Sequence, residues 1–111
     1  MSHSVLITGA AGGIGDALCE QFSKAGWNVI GTSRKTPENA NYINAFISAD
    51  LNALTTDADK LANFKDDVLK AAKDAPLKAV INNAALQYLG KTEDISGYDL
   101  QKSLNVNVVA P

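Results

Sequence analysis

Short apolar runs alternate along this chain with stretches in which apolar residues recur at helical spacing. Residues 5–8 read as a strand, Val-Leu-Ile-Thr, running straight into a glycine-rich turn at residues 9–13. From residue 13 to 25, Ile14, Leu18 and Phe22 fall at i, i+4 and i+8, the spacing of one helical face. Gly26 then suits the left-handed position that ends a helix. Residues 29–32 form the second apolar run, and residues 45–49 the third. Between them, residues 35–44 hold Pro37 and several asparagines and read as a loop with room for one helical turn. A long helix is expected over residues 57–75, with Leu61, Phe64, Val68, Leu69 and Ala72 as its buried stripe. Thr56 is its expected cap, Asp57 and Asp59 favour its first turn, and Pro76 stops it. Residues 79–82 give a fourth strand, and a last helix begins near Ser96 or Gly97 and is still running at Pro111.

Strands that alternate with helices form βαβ units, whose crossovers are right-handed. The expected architecture is α/β, a doubly wound parallel sheet in the order 3-2-1-4, with a crevice above strands 1 and 4 where the order reverses. At 111 residues the chain makes one small domain at most. It is 46% hydrophobic and 20% charged, which is globular rather than disordered composition. The formal charge of −2 comes with scattered Lys and Arg, so neither nucleic acid nor an anionic membrane is an expected partner. No apolar run reaches membrane-spanning length, and the first residues do not form a signal peptide. Cys19 is the single cysteine, which rules out an internal disulfide and fits a reducing cytosol. Its expected role is that of a small core residue. His3, the single histidine, lies in an N-terminus expected to fray, and no metal constellation surrounds it. Trp27 is expected to cover the turn into the second strand.

The chemistry concentrates in Thr8-Gly9-Ala10-Ala11-Gly12-Gly13-Ile14-Gly15. Glycines let a backbone turn sharply and approach a pyrophosphate with no Cβ in the way. The helix behind adds unpaired N–H groups and the positive end of its dipole. A tight turn made only for packing would need the same glycines. The placement between strand and helix favours a dinucleotide cradle.

These residues resemble the short-chain dehydrogenase/reductase family, whose Rossmann domain carries TGxxxGxG here in the classical branch. Thr8, Gly9, Gly13 and Gly15 match that pattern. Gly12 satisfies the TGxxGxxG of the extended, epimerase-containing branch as well, so the turn does not choose between them. Asn82-Asn83-Ala84-Ala85 resembles the classical NNAG, with Ala85 in place of the final Gly. Asp50-Leu51 is similar to the classical pair whose Asp reaches the adenine amino group. The segment from Leu104 to Pro111 resembles the classical helix with its functional Asn, and the motif's register gives that role to Asn107, not Asn105. The resemblance covers essentially the whole chain. It implies that Gly9, Gly12, Gly13, Ile14, Gly15, Asp50, Leu51, Asn83, Ala84 and Ala85 contact a nicotinamide cofactor.

The residue that ends strand 2 selects the cofactor in this fold: a carboxylate holds the ribose of NAD, and a nearby Arg accommodates the extra phosphate of NADP. Counting from the cradle puts Ser33 at the carboxylate position and Arg34 next to it. A hydroxyl donor and a charge-assisted donor favour NADP(H) over NAD(H), with Lys35 adding positive field. A solvated Arg-Lys loop is the plain alternative.

The resemblance also implies a catalytic Ser and a Tyr-x-x-x-Lys pair well after the Asn, and this sequence holds neither there. Tyr98 and Lys102 have the spacing but precede Asn107, so they are read as a coincidence. Asn107 is then a support residue without partners. The leading expectation is an NADP(H)-dependent oxidoreductase moving hydride between a carbonyl and an alcohol, present as its cofactor half and inactive or nearly so alone. The alternative is a non-catalytic, truncated nucleotide-binding or self-associating module; an epimerase-like member would instead favour NAD. Gln87 and Tyr88 could touch substrate or lie idle on a loop. An exposed strand-4 edge and an uncovered last helix, with Leu104, Val106, Val108 and Val109, predict a homo-oligomer.

Overall fold

The computed structural model describes residues 3–37 and 41–84. Its first strand, β1 (Ser4–Thr8), leads through the glycine turn into helix α1 (Gly13–Lys24). Strands β2 (Asn28–Ser33) and β3 (Ala45–Ser48) follow, then helices α2 (Leu51–Thr56) and α3 (Ala58–Ala72), then β4 (Leu77–Ile81). All strand pairs are parallel and the order is β3-β2-β1-β4, as the alternating pattern predicts. The expected loop at 35–44 and the last helix fall partly or wholly outside the described residues. No described helix is long and apolar enough to cross a membrane.

Alternation along the strands divides the core between the two faces. Val5, Ile7 and Val29 point to the side where α1 packs, joining Ala10 and Cys19, with Leu18, Phe22 and Trp27 around them. Leu6 and Ile30 point to the other side, where Val68 and Ala72 of α3 meet them. Because both faces are covered, β1 is buried along its whole length and reads as a continuous apolar run. Burial pushes the Cys19 thiol upward, and the Asp16 carboxylate adds to the shift, so the core reading of this cysteine holds.

Several expectations are corrected. Ile14 does not share the buried face of Leu18 and Phe22; it is 72% exposed, at the open end of the first turn. In α3 the packed stripe is Phe64, Val68, Ala71 and Ala72. Leu69 follows Val68 by about 100° of helix rotation and is turned out, 64% exposed, while Leu61 stands at the stripe's rim. Thr56 is not the cap. Its hydroxyl donates back to the Ala53 carbonyl at 3.3 Å as the last residue of α2, a helix the sequence reading did not foresee. Asp57 caps α3 instead, accepting from the Asp59 and Lys60 amides at 3.0 and 3.1 Å. His3 does not fray: its carbonyl accepts from the Asn28 amide at 2.9 Å and its ring lies 5.3 Å from that of Trp27.

The end of the sheet away from the glycine turn is closed by a buried polar network that the pattern of apolar residues does not reveal. Asn28 donates to Ser4 Oγ at 2.9 Å and to the Ala71 carbonyl at 3.0 Å. Ser4 Oγ donates to the Ala75 carbonyl at 2.7 Å. These bonds pin the C-terminal end of α3 to β1 and β2 and satisfy carbonyls that a helix end leaves without partners.

Helix α3 stops at Ala72, earlier than expected, because Lys73 adopts φ +52°, a left-handed conformation that costs a side-chain-bearing residue energy. Replacing it with glycine relieves that strain. Lys73→Gly is expected to raise stability by about 1 kcal/mol, read as an increase in the urea midpoint at unchanged slope. A lower midpoint would show that the side chain contributes more than the strain costs.

Candidate functional site

The site is built where β1 ends, and two glycines set its shape. Gly9 has φ +66°, and a Cβ there would lie 3.0 Å from Asn83 Nδ2 and 3.1 Å from the Ala84 backbone. Gly15, in the first turn of α1, has no room for any side chain, since a Cβ would overlap the Gly9 carbonyl. Backbone therefore packs on backbone, and the start of α1 is drawn up to the end of β1. A third glycine, Gly31 of β2, makes the layer beneath possible: a Cβ there would sit 2.9 Å from Ala10 Cβ. The sequence reading missed Gly31, because a lone glycine inside a strand signals a close approach without saying to what.

Gly12 behaves differently. Its φ of −160° suits any residue, and a Cβ there would meet nothing within 4 Å. The chain's own packing does not require this glycine. It stands as the N-cap of α1 with no side-chain cap, leaving the mouth of the helix open to an incoming acceptor. Such an opening, with the dipole behind it, fits a phosphate group.

Thr8 couples the turn to β4. Its hydroxyl accepts from the Asn83 and Ala84 amides, both at 3.0 Å. Asn83 Nδ2 donates in turn to the Gly9 carbonyl at 3.2 Å. The sequence reading took Thr8 as part of the motif and gave it no role; the structure makes it the joint between the two segments that flank the crevice.

Two adjoining clefts open here. One, of about 280 Å³, gathers Thr8, Gly9, Thr32, Ser33, Arg34, Asp50, Leu51, Asn83 and Ala84. The other runs along Gly12, Gly13, Asp16, Ser33, Lys35 and Thr36. Seven residues singled out from sequence thus share the first cleft: Gly9, Ser33, Arg34, Asp50, Leu51, Asn83 and Ala84. Gly12 and Gly13 line the second. Gly15 lies beneath as a packing residue, and Ile14 projects at the open end. Ala85 and Asn107 lie outside the described residues, as do Gln87, Tyr88, Tyr98 and Lys102. Asp50 caps α2, accepting from the Asn52 amide at 3.0 Å through one carboxylate oxygen. Ser33 Oγ accepts from the Lys35 amide at 3.4 Å, a long contact that bends the chain after β2.

Residues 3–111 match the family model described as short chain dehydrogenase. The chain belongs to the short-chain dehydrogenase/reductase family, oxidoreductases built on a Rossmann-type nucleotide-binding fold. A curated relative, the NADPH-dependent 3-dehydrocapnine reductase of Ornithobacterium rhinotracheale, is 30% identical over 108 residues, 95% of this chain and 38% of its own length. The ligand-free aldohexose dehydrogenase of Thermoplasma acidophilum superposes with a TM-score of 0.80 at 29% identity, covering 98% of this chain and 40% of that one. A Brucella ovis oxidoreductase of the same family, in complex with partially ordered NAD, gives 0.80 at 26% identity over 100% of this chain and 53% of that one. The chain therefore spans about half the length, or less, of the relatives it matches.

The contrast between Gly12 and Gly15 separates fold from binding. Gly15→Ala is expected to cost at least about 3 kcal/mol, at or beyond the upper range of overpacking, because rigid backbone must move. Gly12→Ala is expected to cost only about 1 kcal/mol of stability, since alanine is a poorer N-cap than glycine but meets no neighbour here. It should nevertheless weaken nucleotide binding about tenfold by placing a methyl in the phosphate path. Calorimetric titration beside thermal melts measures both.

Proposed function

We infer that this chain is the cofactor-holding half of an NADP(H)-dependent oxidoreductase of the classical short-chain type, one that interconverts a carbonyl and an alcohol. The observation that carries the reading is the end of β2. Ser33 stands where a carboxylate would select NAD, and Arg34 lines the same cleft as Gly9 and Asp50. Lys35 lines the neighbouring cleft beside Ser33 and Gly12. An arginine and a lysine that each line a cleft shared with Ser33 suit a ribose 2′-phosphate. The reductase relative that shares 30% identity is named NADPH-dependent, which agrees with this reading. The Brucella relative holds NAD, so membership of the family does not choose the cofactor and the residues after β2 carry the argument.

Within this scheme the glycine turn and the mouth of α1 receive the pyrophosphate, and Asp50 and Leu51 bound the adenine end. A nicotinamide held there would give hydride to the carbonyl carbon or take it from the alcohol carbon. Asn107 supports proton movement as the family resemblance implies, with the remaining catalytic groups drawn from beyond this chain. The 111 residues alone are proposed to bind cofactor without turnover. A cytoplasmic setting accords with a single, buried thiol.

Arg34→Ala is expected to weaken NADPH about 10- to 100-fold and NADH less than threefold, the loss of a charge-assisted hydrogen bond. Parallel fluorescence titrations measure it, and equal losses for both nucleotides would overturn the assignment.

Self-association is proposed as well, through the flank of β4. Val80 is 49% exposed there, an apolar side chain on an outer strand of the described sheet. Sedimentation velocity at high micromolar concentration is expected to give a dimer or larger species. A single monomer boundary would remove this part of the reading.

A further inference from the structure

On the α3 side of the sheet, the apolar row Leu6 and Ile30 is followed towards the crevice by a row of two threonines, Thr8 and Thr32, which are partners in register. Their hydroxyls are treated differently. Thr8 Oγ accepts two amides and lies 3.4 Å from the Ile81 carbonyl. Thr32 is 1% exposed, and its Oγ is the buried side-chain polar atom without a hydrogen-bond partner among the described residues. Its backbone carbonyl is occupied by the Ala10 amide at 3.2 Å, so only the hydroxyl is unassigned.

An unpaired buried hydroxyl is costly, and valine would fill the same space and suit a strand equally well. The hydroxyl is therefore kept for a partner that arrives from elsewhere. Thr32 lines the cleft of Ser33, Arg34, Asp50 and Leu51, and does not line the cleft of Gly12 and Gly13. We propose that Thr32 is a binding residue of the nucleoside pocket, its hydroxyl hydrogen-bonding the ribose or purine of the seated nucleotide, directly or through one bound water. This rests on the nucleotide site proposed above and adds a contact to the part of the ligand that NAD and NADP have in common.

The test compares wild type, Thr32→Val and Thr32→Ser as full chains, by calorimetric titration with NADH and with NADPH and by melting of the free proteins. Thr32→Val is expected to lose about 3- to 30-fold in affinity for both nucleotides alike, whereas Arg34→Ala acts on NADPH selectively. The free Thr32→Val protein is expected to melt at the wild-type temperature or above, because its methyl replaces a hydroxyl that had no partner. Thr32→Ser keeps the hydroxyl and should retain most of the affinity. Wild-type affinity in Thr32→Val overturns the proposal. So does a melting point several degrees lower in free Thr32→Val, since the hydroxyl would then be satisfied within the protein itself. If wild type binds neither nucleotide, the nucleotide site falls and this contact with it; if wild type binds and Thr32→Val binds equally, only this contact falls.

Discussion

The packing of Gly15 against the Gly9 carbonyl governs this structure. A helix that starts so close to the strand before it must present its first amides at the strand's end, over the crevice. Any side chain at residue 15 would push α1 away from the sheet. The same contact lets Ala10 reach over Gly31, where the Ile43 side chain packs as well. Energetically this is a local constraint. Functionally it sets where a phosphate can meet the helix dipole, which falls off within the first turn.

The two ends of the sheet handle polar groups in opposite ways. At one end Asn28 donates to Ser4 and to the Ala71 carbonyl, and Ser4 donates to the Ala75 carbonyl. At the other end the Gly12 mouth has no side-chain cap, Thr32 has an unpaired hydroxyl, and Arg34 and Lys35 face clefts. The contrast agrees with the proposed nucleotide site at the crevice, where strand order puts the ligand in folds of this kind.

Much of this was legible in the sequence, for physical reasons that differ by element. The sheet order followed from apolar runs of β1 and β2 that are buried on both faces, since such runs admit few alternatives. The residues of the first cleft followed from family motifs, which single out Asp50 and Asn83, residues that line one cleft although they follow the two outer strands of the described sheet. What sequence could not give were outcomes of competition. Thr56 and Asp57 are both good caps, and the decision rested on α2, whose last turn uses the Thr56 hydroxyl. Ile14 has the spacing of a core residue, yet it is the second residue of α1, next to the glycine turn, and it is exposed there. Asn28 and Thr32 are polar residues within strands; the partners of Asn28 lie 24 and 43 positions away, and the Thr32 hydroxyl has none among the described residues.

Thr8 has one further consequence. With the Asn83 and Ala84 amides bonded to its hydroxyl, and Asn83 bonded back to Gly9, the glycine turn and the β4 exit are tied into one piece. A molecule that tugs on one bank of the crevice moves the other with it. The spacing of these two segments is consequently set at folding rather than at docking.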